Sequence, residues 1–196
     1  MTSRVTFISP AMSSSLRGAR FDDGASIDAD GEARAHAAAG SLPAAARVVI
    51  SPSVRCRETA TALGLRGAEA AELPGLDVGR WRGLSLAEVG AEEPEAVARW
   101  LADPACAPHG GESAEELLAR VAQWLDASLE TEGRTLAVVE PEVVRAAVTY
   151  VLGAPPAAFW RLDVPPLTAT TISGRSGRWN LGLGRPLGPA EAVAES

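Results

Sequence analysis

Three apolar runs in this chain end the same way. "VTFISP" (5–10), "RVVISP" (47–52) and "TLAVVEP" (135–141) are built mainly of aliphatic and β-branched residues, and each stops at a proline that cannot continue a strand ladder. Runs with little polar alternation are strands buried on both faces, which implies a mainly parallel central sheet with helices on either side. Amphipathic stretches between the runs supply those helices. The fold class is therefore α/β, a three-layer α/β/α sandwich.

Boundaries follow from local signals. Strands are expected at Arg4–Ile8, 46–52 and 134–139. "DADGEARAHAAAGSL" (28–42) has the Asp cap, acidic first turn and closing glycine of a short helix, and "RCRETATALGL" (55–65) is a helix closed by Gly64. The longest amphipathic helix covers 113–130. Ser113 and Glu116 form its capping box, and Leu117, Val121, Trp124 and Leu125 share one face. A last helix, 142–153, ends at Gly153 before Pro155. Short edge strands are expected near 160–164, 168–173 and 177–182. Residues 1–185 read as a single domain, and the Pro/Ala/Glu-rich residues 186–196 as a disordered tail.

Composition removes several function classes. The 196 residues are 46% hydrophobic, enough for a sizeable core, and carry a formal charge of −7. All 18 basic residues are arginine, with no basic stripe, so neither nucleic acid nor an anionic membrane is the expected partner. No apolar run approaches the roughly 20 residues that span a bilayer, and the N-terminus lacks a signal-peptide layout. A cytoplasmic location is expected. Cys56 and Cys106 are too few for a disulfide framework or a zinc site, and no metal or cofactor is called for.

In such sheets, function collects at the C-terminal ends of the strands. Three ends stand out: Ser9-Pro10-Ala11, Ser51-Pro52 followed by Arg55, and Val139-Glu140-Pro141-Glu142. Further segments join them in order: "RF" (20–21), "LDVGRWRGLSLAEV" (76–89) and "HGGES" (109–113).

Together these segments resemble the histidine phosphatase superfamily, the phosphoglycerate-mutase-like group. "SPSVRCRETATALGL" is similar to the family's Ser-Pro-x-x-Arg-x-x-Gln-Thr-Ala segment, with Arg55 at the phosphate-binding arginine. "LDVGRWRG" resembles Phe-Gly-x-Trp-x-Gly, "HGGES" resembles Pro-Gly-Gly-Glu-Ser, and "TLAVVEPEVVRAAVTYVLGAP" resembles the last strand and helix. The resemblance implies a phosphoglycerate-mutase-like sandwich. It also implies where chemistry would reside. The family's first strand ends Arg-His-Gly, the arginine gripping phosphate and the histidine attacking it. Ser9, Pro10 and Ala11 fall there in this chain. A second family histidine falls on Glu140, and the proton-donating carboxylate position, four residues before Gly79, falls on Gly75. Ser9, Pro10, Gly75 and Glu140 are thus the lost family positions, and Arg55 alone remains.

Only two histidines exist to compensate. His36 falls on a helix away from the strand ends, whereas His109 is expected beside the pocket. Arg55 is expected to pair with Glu140, giving a neutral or weakly acidic pocket. A like-charge pair at 4 Å costs about 4 kcal/mol at an effective dielectric of about 20, or about three powers of ten in affinity. Phosphate should therefore bind weakly or not at all. The chemical candidates are Glu140 as acid or base, Arg55 as its orienting partner and His109 as a titrating neighbour. Ser9, Pro10, Ser13, Asp77, Trp81, Glu112, Pro141 and Glu142 are expected to line the pocket. Three functions fit: a pseudophosphatase binding a small neutral or cationic organic molecule, a repurposed acid–base enzyme (isomerase, dehydratase, cyclase or hydrolase), or a partner-binding scaffold. A homodimer is compatible with each.

Overall fold

The structure, a computed structural model, describes residues 3–130, 132–175 and 178–189. The chain opens with β1 (Ser3–Ile8), the short α1 (Ser14–Arg17) and α2 (Ala29–Ala37), then β2 (Arg47–Ile50), α3 (Val54–Ala62) and β3 (Ala68–Glu69). It continues with α4 (Leu86–Glu92), α5 (Pro94–Ala102), α6 (Ala114–Ser128), β4 (Gly133–Val138) and α7 (Pro141–Val151). A closing hairpin is formed by β5 (Thr168–Arg175) and β6 (Arg178–Pro186).

One six-stranded sheet runs in the order β3-β2-β4-β1-β5-β6. β1, β2, β3 and β4 pair in parallel, while β5 is antiparallel to β1 and to β6. Neighbouring residues of β1 show why its run lacks alternation. Phe7 packs into the core with Leu117, Leu125, Val143 and Phe159, from α6, α7 and the turn after α7. Ile8 points the other way, into a core with Ala35, Cys56, Leu136 and Val138 against α2 and α3. Both are fully buried, each burial contributing roughly 1.5–3 kcal/mol. A third, aromatic cluster gathers Val78, Trp81, Val89 and Trp100.

The sandwich matches the expected architecture, with local corrections. Residues 160–164 are not a strand. Pro156–Arg161 turn as a 3-10 helix, and the segment up to Leu167 contains Pro165 and Pro166, which have no N–H to give a ladder. Helices α4 and α5 were not foreseen, although Ser85 and Glu88 form a full capping box and Pro94 occupies the first turn of α5. At the C-terminal end, Pro186 pairs with Thr168 and the Leu187 N–H donates to Leu167. Residues 190–196, the rest of the expected tail, lie outside the described residues. No helix among the described residues is long and apolar enough to cross a membrane.

Candidate functional site

The ends of β1, β2 and β4 lie side by side, because the ladder continues one residue past each strand: Val139 N–H donates to Ile8, and Ser51 N–H to Val138. This brings Glu140, at the end of β4, opposite the start of α3. Ser53 caps α3 by accepting the Cys56 N–H, so Arg55 sits in its first turn. Glu140 is the residue before Pro141, which opens α7, yet its side chain does not cap that helix. It turns instead to Arg55.

The pair is bidentate and buried. Arg55 Nε lies 3.0 and 2.8 Å from the two Glu140 carboxylate oxygens, and Nη2 lies 2.5 Å from Oε2. The side chains are 6% and 3% exposed, so neither charge is screened by water to any extent. Asp22 approaches Arg55 Nε at 3.9 Å, and the Cys56 thiol is 3.7 Å from Glu140 Oε1. Burial alone would lower the Arg55 pKa, but hydrogen bonding and the charge of Glu140 hold it above the ordinary value. The Cys56 thiol moves well above its ordinary value, first through burial and then through the nearby Glu140 charge.

Around this pair opens a cleft of about 580 Å³. Its acids are Asp22, Asp77, Glu140 and Glu142; its bases include Arg55, Arg82 and Arg145. Arg20 also borders it but reaches away to Glu88 at 2.8 Å. Phe21, Trp100 and Trp160 form an aromatic wall, the two indoles 4.2 Å apart between centroids. Glu142 is held toward its neutral form, chiefly by burial and then by the Glu140 charge, with Arg55 opposing. The guanidinium of Arg55 is thus occupied, and burial disfavours the charged form of its neighbour Glu142.

Of the sequence-derived site residues, Arg55, Glu140, Asp77, Pro141 and Glu142 border the cleft, together with Gly75. Six others do not. Ser9 is fully buried and faces the other way, donating to Pro165 at 2.6 Å and accepting from Thr168 N–H at 2.9 Å. Pro10 is buried, and its carbonyl accepts the Leu167 N–H. Ser13 caps α1 by accepting the Leu16 N–H. Trp81 is fully buried in the aromatic cluster, with Nε1 donating to Glu93. Glu112 is bound to Arg120 at 2.6 and 2.9 Å, and Arg120 also holds the carbonyls of Pro74 and Gly75. His109 is 2% exposed, with ring centroids 5.0 Å from Trp81 and 6.1 Å from Trp100. Its Nδ1 accepts the Gly111 N–H, so the ring proton sits on the unpartnered Nε2, and burial lowers its pKa. It is a packing residue behind the cleft. His36 is exposed on α2.

Sequence reading overlooked Asp22, Trp100, Trp160 and Arg145 as cleft residues. Nothing local marked Asp22, and taking 160–164 as a strand hid the turn that presents Trp160. Among the described residues, no group of three His, Cys, Asp or Glu side chains is placed to hold a metal ion.

The fold and strand-end cleft define a class, and comparison with known proteins agrees with it. The family profile of the histidine phosphatase superfamily (branch 1) matches residues 17–183, and the chain belongs to that superfamily. It is 39% identical over 99 residues to "Bifunctional protein Rv2228c" of Mycobacterium tuberculosis, a match covering 48% of this chain and 27% of that protein. The M. bovis relative Mb2253c, uncharacterized, matches equally. The chain thus spans about a quarter of the length of these curated relatives. Mycobacterial glucosyl-3-phosphoglycerate phosphatase Rv2419c in complex with VO3 superposes with a TM-score of 0.80 at 26% identity, over 92% of this chain and 97% of that one. "Mycobacterial hydrolase 1" superposes at 0.82 with 24% identity, over 93% and 98%. A mutant phosphoserine phosphatase from Entamoeba histolytica, in complex with phosphoserine, reaches 0.83 at 15% identity, over 93% and 96%. These last two likenesses speak to the fold alone.

Proposed function

We propose that this member of the superfamily is a small-molecule pocket protein that does not carry out phosphohistidine chemistry. One observation carries the proposal: the guanidinium of Arg55 is occupied by Glu140 within a buried bidentate pair. In the resemblance that arginine is the phosphate-binding one, so an incoming phosphate would have to displace a carboxylate already seated in its place. Supporting it are Pro10 at the end of β1, which can neither attack nor donate, and the acids Asp22, Asp77 and Glu142 around the same cleft. A phosphate dianion would face the Asp22 and Asp77 carboxylates with the Arg55 guanidinium already engaged by Glu140. The aromatic wall and carboxylates suit a neutral or cationic organic molecule.

Several relatives are phosphatases by name, so the discriminating experiment is phosphate itself. Calorimetric titration should give no saturable binding of inorganic phosphate, and p-nitrophenyl phosphate should not turn over. A saturable micromolar phosphate isotherm, or turnover lost on Arg55→Ala, overturns the proposal. Acid–base catalysis on a small molecule is the alternative, favoured by one observation: Glu142 borders the cleft, where burial and the Glu140 charge raise its pKa above the ordinary value. It differs from the sequence expectation in moving the proton-bearing role from Glu140, which is locked to Arg55, to Glu142.

A further inference from the structure

Behind the cleft lies a second cavity of about 690 Å³, lined by α7, the 162–167 segment and the β5–β6 hairpin, with α2 at one end. Its walls are mainly aliphatic, Val144, Val148, Leu162 and Leu181 among them, and no aromatic ring lines it among the described residues. Gly184 keeps its floor open, since a β-carbon there would come within 3.1 Å of the Thr170 hydroxyl. A volume of this size is in the range of small-molecule sites.

Arg145 stands between this cavity and the cleft and borders both. Its Nε is buried without a hydrogen-bond acceptor, and its guanidinium makes no ion pair with any described residue. Its guanidinium carbon lies 6.0 Å from the centroid of the Phe159 ring, and its charge also acts on Glu142. Buried donors of this kind are almost always satisfied, so an unmet one bordering a mainly aliphatic cavity points to an acceptor that the chain does not supply.

We propose that this second cavity binds an aliphatic monocarboxylate, with its carboxylate on Arg145 and its hydrocarbon chain along Val144, Val148 and Leu181. The planar guanidinium matches a carboxylate's paired oxygens. The charged side chains lining the cavity are Arg34, Arg145 and Asp163, a net of one positive charge that a single carboxylate balances. A phosphate dianion would exceed that charge and meet Asp163. Branched aliphatic walls without an aromatic face fit a flexible hydrocarbon better than a planar ring. This inference goes beyond the reading of the cleft and does not depend on it.

The test is calorimetric titration with decanoate below its micellar concentration, compared with decanol and decyltrimethylammonium. One decanoate should bind per chain, with decanol weaker by about tenfold or more and the cation not binding. Arg145→Met should reduce decanoate affinity to that of decanol. Val148→Trp should remove binding of both, while the phosphate titration of the cleft stays as in the parent protein. Gly184→Val narrows the cavity from β6 instead of from α7, and serves where Val148→Trp fails to fold; a melting temperature raised by decanoate in the parent, and not in this variant, gives the same answer. Absence of saturable decanoate binding overturns the proposal, as does equal binding of all three probes or an Arg145→Met variant that binds as before. A ligand-free dimer that Val148→Trp dissolves would assign the face to a second copy and also overturn it.

Discussion

Gly75 and Glu140 share one volume: a β-carbon on Gly75 would lie 3.0 Å from Glu140 Cγ and 3.4 Å from its Cβ. The same Glu140 side chain reaches on to Arg55. A side chain at position 75 therefore disturbs the ion pair at one remove. Gly75→Ala should cost about 1–3 kcal/mol in urea unfolding, the range for overpacking a tight site. In a Glu140→Ala background, where the γ-carbon approached at 3.0 Å is gone, the added cost should fall by more than half. A double-mutant cycle reads the difference directly, and equal costs in both backgrounds would show the positions to be uncoupled.

Removing either partner of the buried pair is expected to be severe, because it strands a charge where water cannot reach. Glu140→Ala should cost about 3–5 kcal/mol, whereas Arg55→Met combined with Glu140→Leu should recover most of that loss. The single variant also frees the guanidinium. Millimolar phosphate should raise the melting temperature of Glu140→Ala and leave that of the parent unchanged, since only the variant frees Arg55 from its carboxylate. Thermal melts with and without phosphate check both statements. A parent protein stabilised as strongly as the variant would contradict them.

The sheet was legible because its strands are buried on both faces. Phe7 and Ile8 point to opposite cores and are both apolar, so the run announces a central strand without alternation. Capping chemistry likewise placed α6 at Ser113. The strand ends also gave Arg55 and Glu140, because sheet topology alone brings the end of β4 beside the start of α3. Side-chain direction was not legible. Ser9 lies at a strand end yet turns to Pro165 and Thr168, and His109 adjoins the right loop yet points into Trp81 and Trp100. Both choices are made by partners more than fifty residues away or by packing of several rings, which local spacing does not encode.

Glu142 and His109 set opposite pH trends. Glu142 holds its proton more tightly in the folded protein than in the unfolded chain, owing to burial and the Glu140 charge. Its stabilising share is complete below the ordinary value of 4.5 and is lost as pH rises through the higher folded value. Glu142→Gln should therefore gain on the parent as pH increases above 4.5. His109 is the reverse: burial lowers its folded value below 6.5, so its share is present above 6.5 and lost as pH falls through the folded value. His109→Gln should flatten that acid-side decline. Melting curves from pH 4 to 8 for the three proteins separate the effects, and parallel curves would rule out both.

Arg120 fixes the segment that carries Gly75. Its guanidinium donates to the Glu72 carbonyl at 3.1 Å, Pro74 at 2.9 Å and Gly75 at 3.0 Å, while Glu112 anchors it from the other side. The five-donor fork is what allows one side chain to hold three carbonyls and a carboxylate together; a lysine ammonium has fewer donors and no fixed plane. Arg120→Lys should cost about 1–3 kcal/mol, the value of leaving such acceptors unmet. Because α6 stays packed through Leu117, Val121 and Leu125, the loosening should be local to the loop. Amide exchange should accelerate at residues 73–77 while the core of α6 remains protected. With Gly75 released, Glu140 loses a packing neighbour, so the variant should also show faster exchange at the start of α7. Uniform acceleration across α6 and the sheet would instead mean that Arg120 supports the whole fold and not this loop.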